Sequence, residues 1–337
     1  MSKGVTRLED LAKMAGVSIS TASRALNDSP AVNMRTKQTI WKLAREMDYP
    51  FRRYMPAGPI GAEATIAIVV PRPQGRDSGM SDPFFLELLA GVGEAASERG
   101  CDVLLSHISP ANFEDLSVAM TTSRAEGVIF LGQSSLHAAF NRLSETEGRF
   151  VVWGAQLPEQ NYCSVGSDNP MGGRRATLHL SRLGRKRIVF LGDTEAPEAM
   201  QRHRGYLDAL EHQKLSADPD LTVPAHFEVE SAEAAIDSLI HRGVSFDGVV
   251  AASDLIALGA IRALKHAGLS VPGDVSVVGF DNVPFARYSS PALSTIAQDT
   301  AKAGRLMVSK LLDASGEKAS RSERVPTDLI IRESCGG

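Results

Sequence analysis

From residue 65 to residue 280, short apolar runs rich in β-branched residues alternate with longer amphipathic stretches, and few folds accommodate that order. Strands are expected at 65–70, 103–107, 127–131, 150–153, 187–191, 248–251 and 275–280. Helices are expected at 84–99, 172–183, 202–211, 232–241 and 255–266. Short β-rich runs separated by helices are the pattern of parallel sheets built from βαβ units. The span exceeds one doubly wound sheet, so two α/β lobes facing a cleft are expected. Ligands of open α/β sheets collect at the carboxyl ends of the strands, which here places a binding site in that cleft.

The first fifty residues are of a different kind. Thr6 and Glu9 stand in capping-box relation, Leu8, Leu11, Ala12 and Ala15 recur at helical spacing, and Gly16 ends the run. Ser18 is placed to cap a second helix whose inward stripe is Ala22, Ala25 and Leu26. After the breaker cluster Asn27-Asp28-Ser29-Pro30, Asn33 caps a third helix running to Asp48, with Ile40, Trp41, Leu43, Ala44 and Met47 available for a core. A three-helix unit with so tight a turn between its first two helices suits a second helix laid in a DNA major groove. Its outward positions include Arg24, able to pair with a guanine edge, and Ile19, able to meet a thymine methyl. Ser18, Thr21 and Ser23 are short hydroxyl donors suited to phosphate oxygens.

Charge divides along the same line. Residues 1–53 hold ten cations against five anions, while the whole 337-residue chain has a net charge of −4, so the remaining 284 residues carry −9. A small basic module fused to an acidic body is the footprint of a nucleic-acid binder with a second task. Cys101, Cys163 and Cys335 are scattered and odd in number, match no metal spacing and suggest no disulfide framework, so a reducing cytoplasm is expected. Neither a signal peptide nor a bilayer-spanning run is visible, so no membrane partner is expected.

The string VTRLEDLAKMAGVSISTASRALNDSPAVNMRTKQTI resembles the headpiece of the LacI/GalR family of bacterial repressors almost end to end. By that resemblance Ile19, Ser20 and Arg24 read bases, and Ser18, Thr21, Ser23 and Asn27 lie near the phosphate backbone. Thr6, Leu8, Tyr49, Arg52 and Arg53 complete the expected DNA-binding set. Further stretches, among them SDNPMGGRRATLHLSRLGRKRIVFLG, RHRGYLDAL and VPGDVSVVGFDNVPFARYSSPALSTIAQD, resemble the family's sensor domain, which is similar to a periplasmic sugar-binding protein. The implied architecture is a small all-α helix-turn-helix headpiece (1–50), a hinge (51–63) and a two-lobed α/β effector domain with Rossmann-like parallel sheets (64–333). The first lobe is expected at about 64–162 and 294–323, the second at about 163–293 and 324–333.

The hinge departs from the family. Tyr49 matches, but Pro50 stands one residue early, Arg52 occupies the usual asparagine position and Gly58 the position of the wedging leucine, between Pro56 and Pro59. Proline inside so short a helix costs about 3 kcal/mol, so a standard hinge helix through residue 58 is not expected. Two readings stand side by side. Tyr54 or Met55 serves as an alternative wedge, or the segment is a flexible linker whose Arg52 and Arg53 only touch phosphate.

For the cleft, the resemblance implies effector contacts at Phe84, Phe85, Arg202, Phe227, Ser253, Asp281 and Gln298. Gln133, just past a strand end, and Trp153, at another, are added from the sequence pattern. A guanidinium and a carboxylate suit sugar hydroxyls, each offering two directed hydrogen-bonding positions. Trp153 reads equally as a stacking platform and as core. No phosphate loop, His-Glu-x-x-His or Gly-x-Ser-x-Gly occurs, so an enzyme such as a two-lobed sugar kinase is not expected, nor is a cofactor or metal. The expected protein is a dimeric, cytoplasmic, nucleoid-associated repressor that binds a pseudo-palindromic operator and is released by a mono- or oligosaccharide. The alternatives are a nucleobase or phosphorylated effector, a protein partner, or co-repression or activation in place of induction. The chain shows no leucine heptads past the body, which favours a dimer over a tetramer.

Overall fold

In the computed structural model the chain forms two compact units, residues 1–63 and 64–337. The structure describes residues 8–26, 29, 31–33, 35–37, 39, 40 and 43 of the first, and 64–72, 82–122, 125–313 and 321–336 of the second.

In the first unit, α1 (Leu8–Met14) and α2 (Ile19–Leu26) are joined by the expected tight turn. Gly16 sits at φ +66°, where a side chain would be strained, and the Val17 N–H closes the turn on the Ala12 carbonyl at 3.0 Å. Ser18 caps α2, its Oγ accepting the Thr21 N–H at 3.1 Å. Residues 35–37, 39, 40 and 43 are helical, and Asn33 Oδ1 accepts the Thr36 N–H at 2.8 Å. Leu11, Ala25, Val32 and Ile40 make the buried core, with Leu26 and Leu43 packed against it. Trp41, Ala44 and Met47 lie outside the described residues.

The second unit begins with β1 (Ala64–Val69), α3 (Pro83–Glu98), β2 (Cys101–Leu105), α4 (Phe113–Thr122), β3 (Gly127–Leu131), α5 (His137–Leu143), β4 (Phe150–Trp153) and β5 (Ser164–Ser167). It continues with α6 (Asn169–Arg182), β6 (Ile188–Leu191), α7 (Pro197–His212), β7 (Thr222–Val223), α8 (Val229–His241), β8 (Gly248–Ala251), α9 (Asp254–His266), β9 (Ser276–Asp281) and α10 (Pro284–Tyr288). Last come β10 (Ser294–Gln298), α11 (Thr300–Leu312), β11 (Glu323–Val325) and β12 (Thr327–Ile330).

Two six-stranded sheets result, ordered β11-β5-β4-β3-β1-β2 and β12-β10-β9-β8-β6-β7. Every pairing is parallel except β10 with β12. Each sheet reverses its winding beside its first strand, between β1 and β3 and between β6 and β8. Crevices open at such switch points, at the carboxyl ends of the strands. The central strands are buried on both faces, as their continuous apolar runs require.

The lobe boundaries differ from those expected. β5, at 164–167, pairs with β4 and belongs to the first sheet, so the first crossing falls after Ser167 rather than at 162. β10 pairs in parallel with β9 and belongs to the second sheet, so the chain returns to the first lobe only with α11. Met307 and Leu311 of α11 enter the first lobe's core. β11, at 323–325, is still in the first sheet, and the last crossing falls between Val325 and Thr327. The short Ser-Val-Gly-Ser run of β5 carries too little apolar signal to be read as a strand. Pairing along the edge of β4 makes it one.

Candidate functional site

In the first unit α2 presents two unlike faces. Ala22 and Ala25 are fully buried, while Ile19 is 49% exposed and Ser18, Ser20 and Arg24 face solvent. Thr21 and Ser23 are half-buried at the border, as is Leu8 on α1. The Ser18 hydroxyl lies 2.9 Å from that of Ser20 and 2.8 Å from that of Thr21, forming one hydroxyl cluster at the helix start. Those oxygens sit where the helix dipole favours an anion. Thr6, Asn27, Tyr49, Arg52 and Arg53, with the whole hinge, lie outside the described residues.

In the second unit a cavity of about 930 Å³, its open mouth included, lies where the carboxyl ends of both sheets converge. A concavity at the strand ends of α/β sheets is where such folds take small molecules. Seven of the nine expected contacts line it: Phe84, Phe85, Gln133, Trp153, Arg202, Phe227 and Asp281. They come from the start of α3, the ends of β3, β4 and β9, the first turns of α7 and the segment before α8. Ser253 and Gln298 stand behind the wall instead. Ser253 Oγ caps α9, accepting the Ile256 N–H at 3.2 Å. Gln298 Nε2 donates to Asp281 Oδ1 at 2.6 Å and fixes that carboxyl from behind.

The polar centre of the cavity is the buried Arg202–Asp281 pair, 3.9 Å apart. Arg202 Nε donates to Asn169 Oδ1 at 2.8 Å, an Nη donates to the Ala252 carbonyl, and the guanidinium lies 3.7 Å over the Phe280 ring. Asp281 and Asn282 occupy the left-handed region, at φ +119° and +62°. Such strain persists only where neighbours over-determine it. Asn282 is held on both sides, its Oδ1 accepting from Arg332 at 2.7 Å and its N–H donating to Thr295 Oγ1 at 3.3 Å.

Burial pushes the Asp281 carboxyl well above the usual carboxylate range, against the pull of Arg202. Burial also pulls the Arg202 guanidinium down, while Asp281 and Glu198 pull it back up. Asp254, behind the pair, is pushed up to about 7 by burial, although Thr295 and the Val283 N–H donate to it.

Aromatic planes make up much of the rest. Trp153 is core, 5% exposed and packed on Phe84 at a centroid distance of 5.7 Å, and its surface is also part of the cavity wall. Phe85 and Phe227 are half-buried there. Gln133 is fully buried, its Nε2 donating to the Tyr162 hydroxyl, while its Oε1 meets no partner among the described residues. Among the lining residues that the sequence reading did not reach, four are titratable: Asp82, Asp193, Glu198 and His226. A signal existed for two of them. Asp82 precedes Pro83 and Glu198 follows Pro197, the order in which acids open helices at strand ends.

Comparison with known proteins finds relatives of both units. Residues 7–50 match the family model described as bacterial regulatory proteins, lacI family, and residues 177–335 match that of the periplasmic binding protein-like domain. The regulator CelR of Thermobifida fusca is 32% identical over 333 residues, covering 97% of each chain. The chain belongs to the LacI family of bacterial regulatory proteins. The repressor CytR of Escherichia coli K12, another LacI-family relative, is 30% identical across 97% of this chain and 95% of its own. The solved CelR–cellobiose complex superposes with a TM-score of 0.70 at 29% identity, covering 98% of this chain and 99% of that one. A LacI-family regulator from Enterococcus faecium with bound ribose has a TM-score of 0.69 at 28% identity, covering 80% and 98%. As a LacI-family member the chain is a DNA-binding transcriptional regulator and not an enzyme. Among the described residues no helix is long and apolar enough to cross a membrane.

Proposed function

We propose that this LacI-family protein is a cytoplasmic, nucleoid-associated repressor of carbohydrate-use genes, released from its operator by a mono- or oligosaccharide. The observation that carries the reading is the cavity itself. A buried, directed Arg202–Asp281 pair sits among the planes of Phe85, Trp153 and Phe227. That combination suits a sugar's ring hydroxyls and its apolar ring face together. The relatives solved with cellobiose and with ribose support it. A thermal-shift screen of mono- and disaccharides, followed by operator release with each hit, tests it. Stabilisation without release would deny the inducer role.

On α2, Ile19, Ser20 and Arg24 are assigned to base edges, and Ser18, Thr21 and Ser23 to phosphate. Arg24→Ala is expected to weaken operator binding by about 1–3 kcal/mol and relax one base position. Equal loss on random DNA, measured by titration of both, would reduce Arg24 to a phosphate contact.

Two headpieces on a pseudo-palindrome require a two-fold dimer. Val103, Leu104 and Leu105 leave apolar side chains exposed on β2, an edge strand of its sheet. Such an edge needs a cover, and a second copy of the chain is assigned to it. Leu104→Glu should shift the protein toward monomer in sedimentation and weaken operator binding with it. A dimer undiminished by that change would place the interface elsewhere. The effector controls operator affinity only through its differential affinity for the protein's two states.

A further inference from the structure

Sugar sensing leaves one property of the cavity unexplained, its charge. The described lining sets four carboxyls, Asp82, Asp193, Glu198 and Asp281, against one guanidinium, Arg202, and one imidazole, His226. Helix N-termini facing a cleft are where α/β folds ordinarily hold anions. Here the chain fills those positions itself. Asp82 Oδ1 takes the Phe84 N–H at the start of α3 at 2.9 Å, and Glu198 occupies the first turn of α7. The cations are engaged as well. Arg202 is tied to Asn169, Ala252 and Asp281, and His226 Nδ1 faces Asp193 at 3.5 Å. Glu198 is the least committed acid. Its carboxyl accepts a long 3.4 Å bond from the Ala155 N–H of the opposite lobe and a bond from its own backbone N–H, and no side chain donates to it among the described residues.

We propose that the pocket is a charge filter: it admits an uncharged polyhydroxyl ligand, and Glu198 is the specificity residue that refuses the same sugar bearing a carboxylate or phosphate. The inference rests on the sugar-sensing reading and deepens it. An entering anion meets carboxyl oxygens on several sides, and the one guanidinium of the described lining, Arg202, already faces the Asp281 carboxyl. A carboxyl that takes up a proton becomes neutral and still offers no cation. Burial pushes the Glu198 carboxyl up as it does that of Asp281. The filter therefore stands on the crowd of carboxyl oxygens and the want of a free cation among the described lining residues. Like-charge rejection adds to it wherever these groups are ionised.

The test is calorimetry on the full chain with matched probes that keep every ring closed: glucose against glucuronate and glucose 6-phosphate, and maltose and cellobiose each against the disaccharide oxidised to a uronate at C6 of its non-reducing ring. The expected result is a neutral sugar that binds and an anionic counterpart more than about tenfold weaker. Glu198→Gln should narrow that gap severalfold. An anion binding as tightly as its neutral partner overturns the filter while sugar sensing stands. A gap untouched by Glu198→Gln overturns the assignment to Glu198. Binding by no sugar of either kind overturns the sugar-sensing reading, and a second measurement then decides the filter by itself. The chain has two tryptophans, so Trp41→Phe leaves Trp153 in the pocket wall as the sole reporter. Quenching by iodide relative to neutral acrylamide should rise when Glu198→Gln is added. An unchanged ratio overturns the filter whatever the effector is.

Discussion

Gly205→Ala is expected to lower the stability of the α/β unit by about 3 kcal/mol, several degrees in Tm for a unit of this size. A Cβ at Gly205 would stand 1.9 Å from the Pro170 carbonyl oxygen and 2.8 Å from the Arg174 amide nitrogen. Both are backbone atoms of α6, so no side chain can turn aside, and the helices must separate. Gly173 makes the reciprocal contact, its Cβ position lying 2.0 Å from the Arg202 carbonyl oxygen. The two glycines thus let α6 and α7 touch backbone to backbone at the level of Arg202, and a forced separation also displaces the guanidinium from Asn169. Gly93→Ala is the control. Its Cβ meets nothing within 4 Å on a helix, and alanine there should be neutral or stabilising by up to about 1 kcal/mol. Differential scanning calorimetry of the two variants distinguishes a packed crossing from a generic cost of adding a methyl. Equal melting of Gly205→Ala and the parent would refute the contact.

That crossing shows what the sequence disclosed and what it concealed. The strands of the central sheets were legible because burial on both faces forces continuous apolar runs, as at 127–131 and 248–251. The turn of the first unit was legible because only glycine sits comfortably at the φ of Gly16. The ends of the lobes were not. β5, β11 and β12 are short edge or near-edge strands with mixed composition, and their membership is decided by partners far along the chain. The cavity divided in the same way. Arg202, Asp281 and the three phenylalanines were reached through resemblance, Gln133 and Trp153 through their places at strand ends, and the structure brings them to one wall. Asp82 and Glu198 were passed over because an acid at a helix start satisfies its own helix, and Asp193 because it reads as a turn residue, its Oδ1 accepting the Glu195 N–H. Only the convergence of α3 and α7 on one cavity shows that these acids line it together.

Arg202→Ala is expected to leave the LacI-family protein able to bind its operator while weakening effector binding by about 100-fold or more, on the scale of removing a buried, hydrogen-bonded charge. Arg202 joins three elements at the cavity: it sits on α7, donates to Asn169 on α6, and donates to the Ala252 carbonyl after β8. Alanine removes the group aimed at the ligand and the tie between these elements, and it leaves Asp281 buried without its counter-charge. Breaking such a pair costs about 3 kcal/mol when the partner must stay charged. Asp281 has an escape, since burial already raises its carboxyl well above the usual range and loss of Arg202 raises it further. The sign follows. A carboxyl raised in the folded state keeps its stability contribution below the ordinary carboxylate value and loses it as pH climbs through the raised one. The stability deficit of Arg202→Ala should therefore be small at acidic pH and widen toward neutral and alkaline pH. Melting curves across that range, read beside operator titrations with and without effector, separate the two roles. Full induction in the variant would remove Arg202 from the effector site, and a deficit independent of pH would show that Asp281 does not take up the proton.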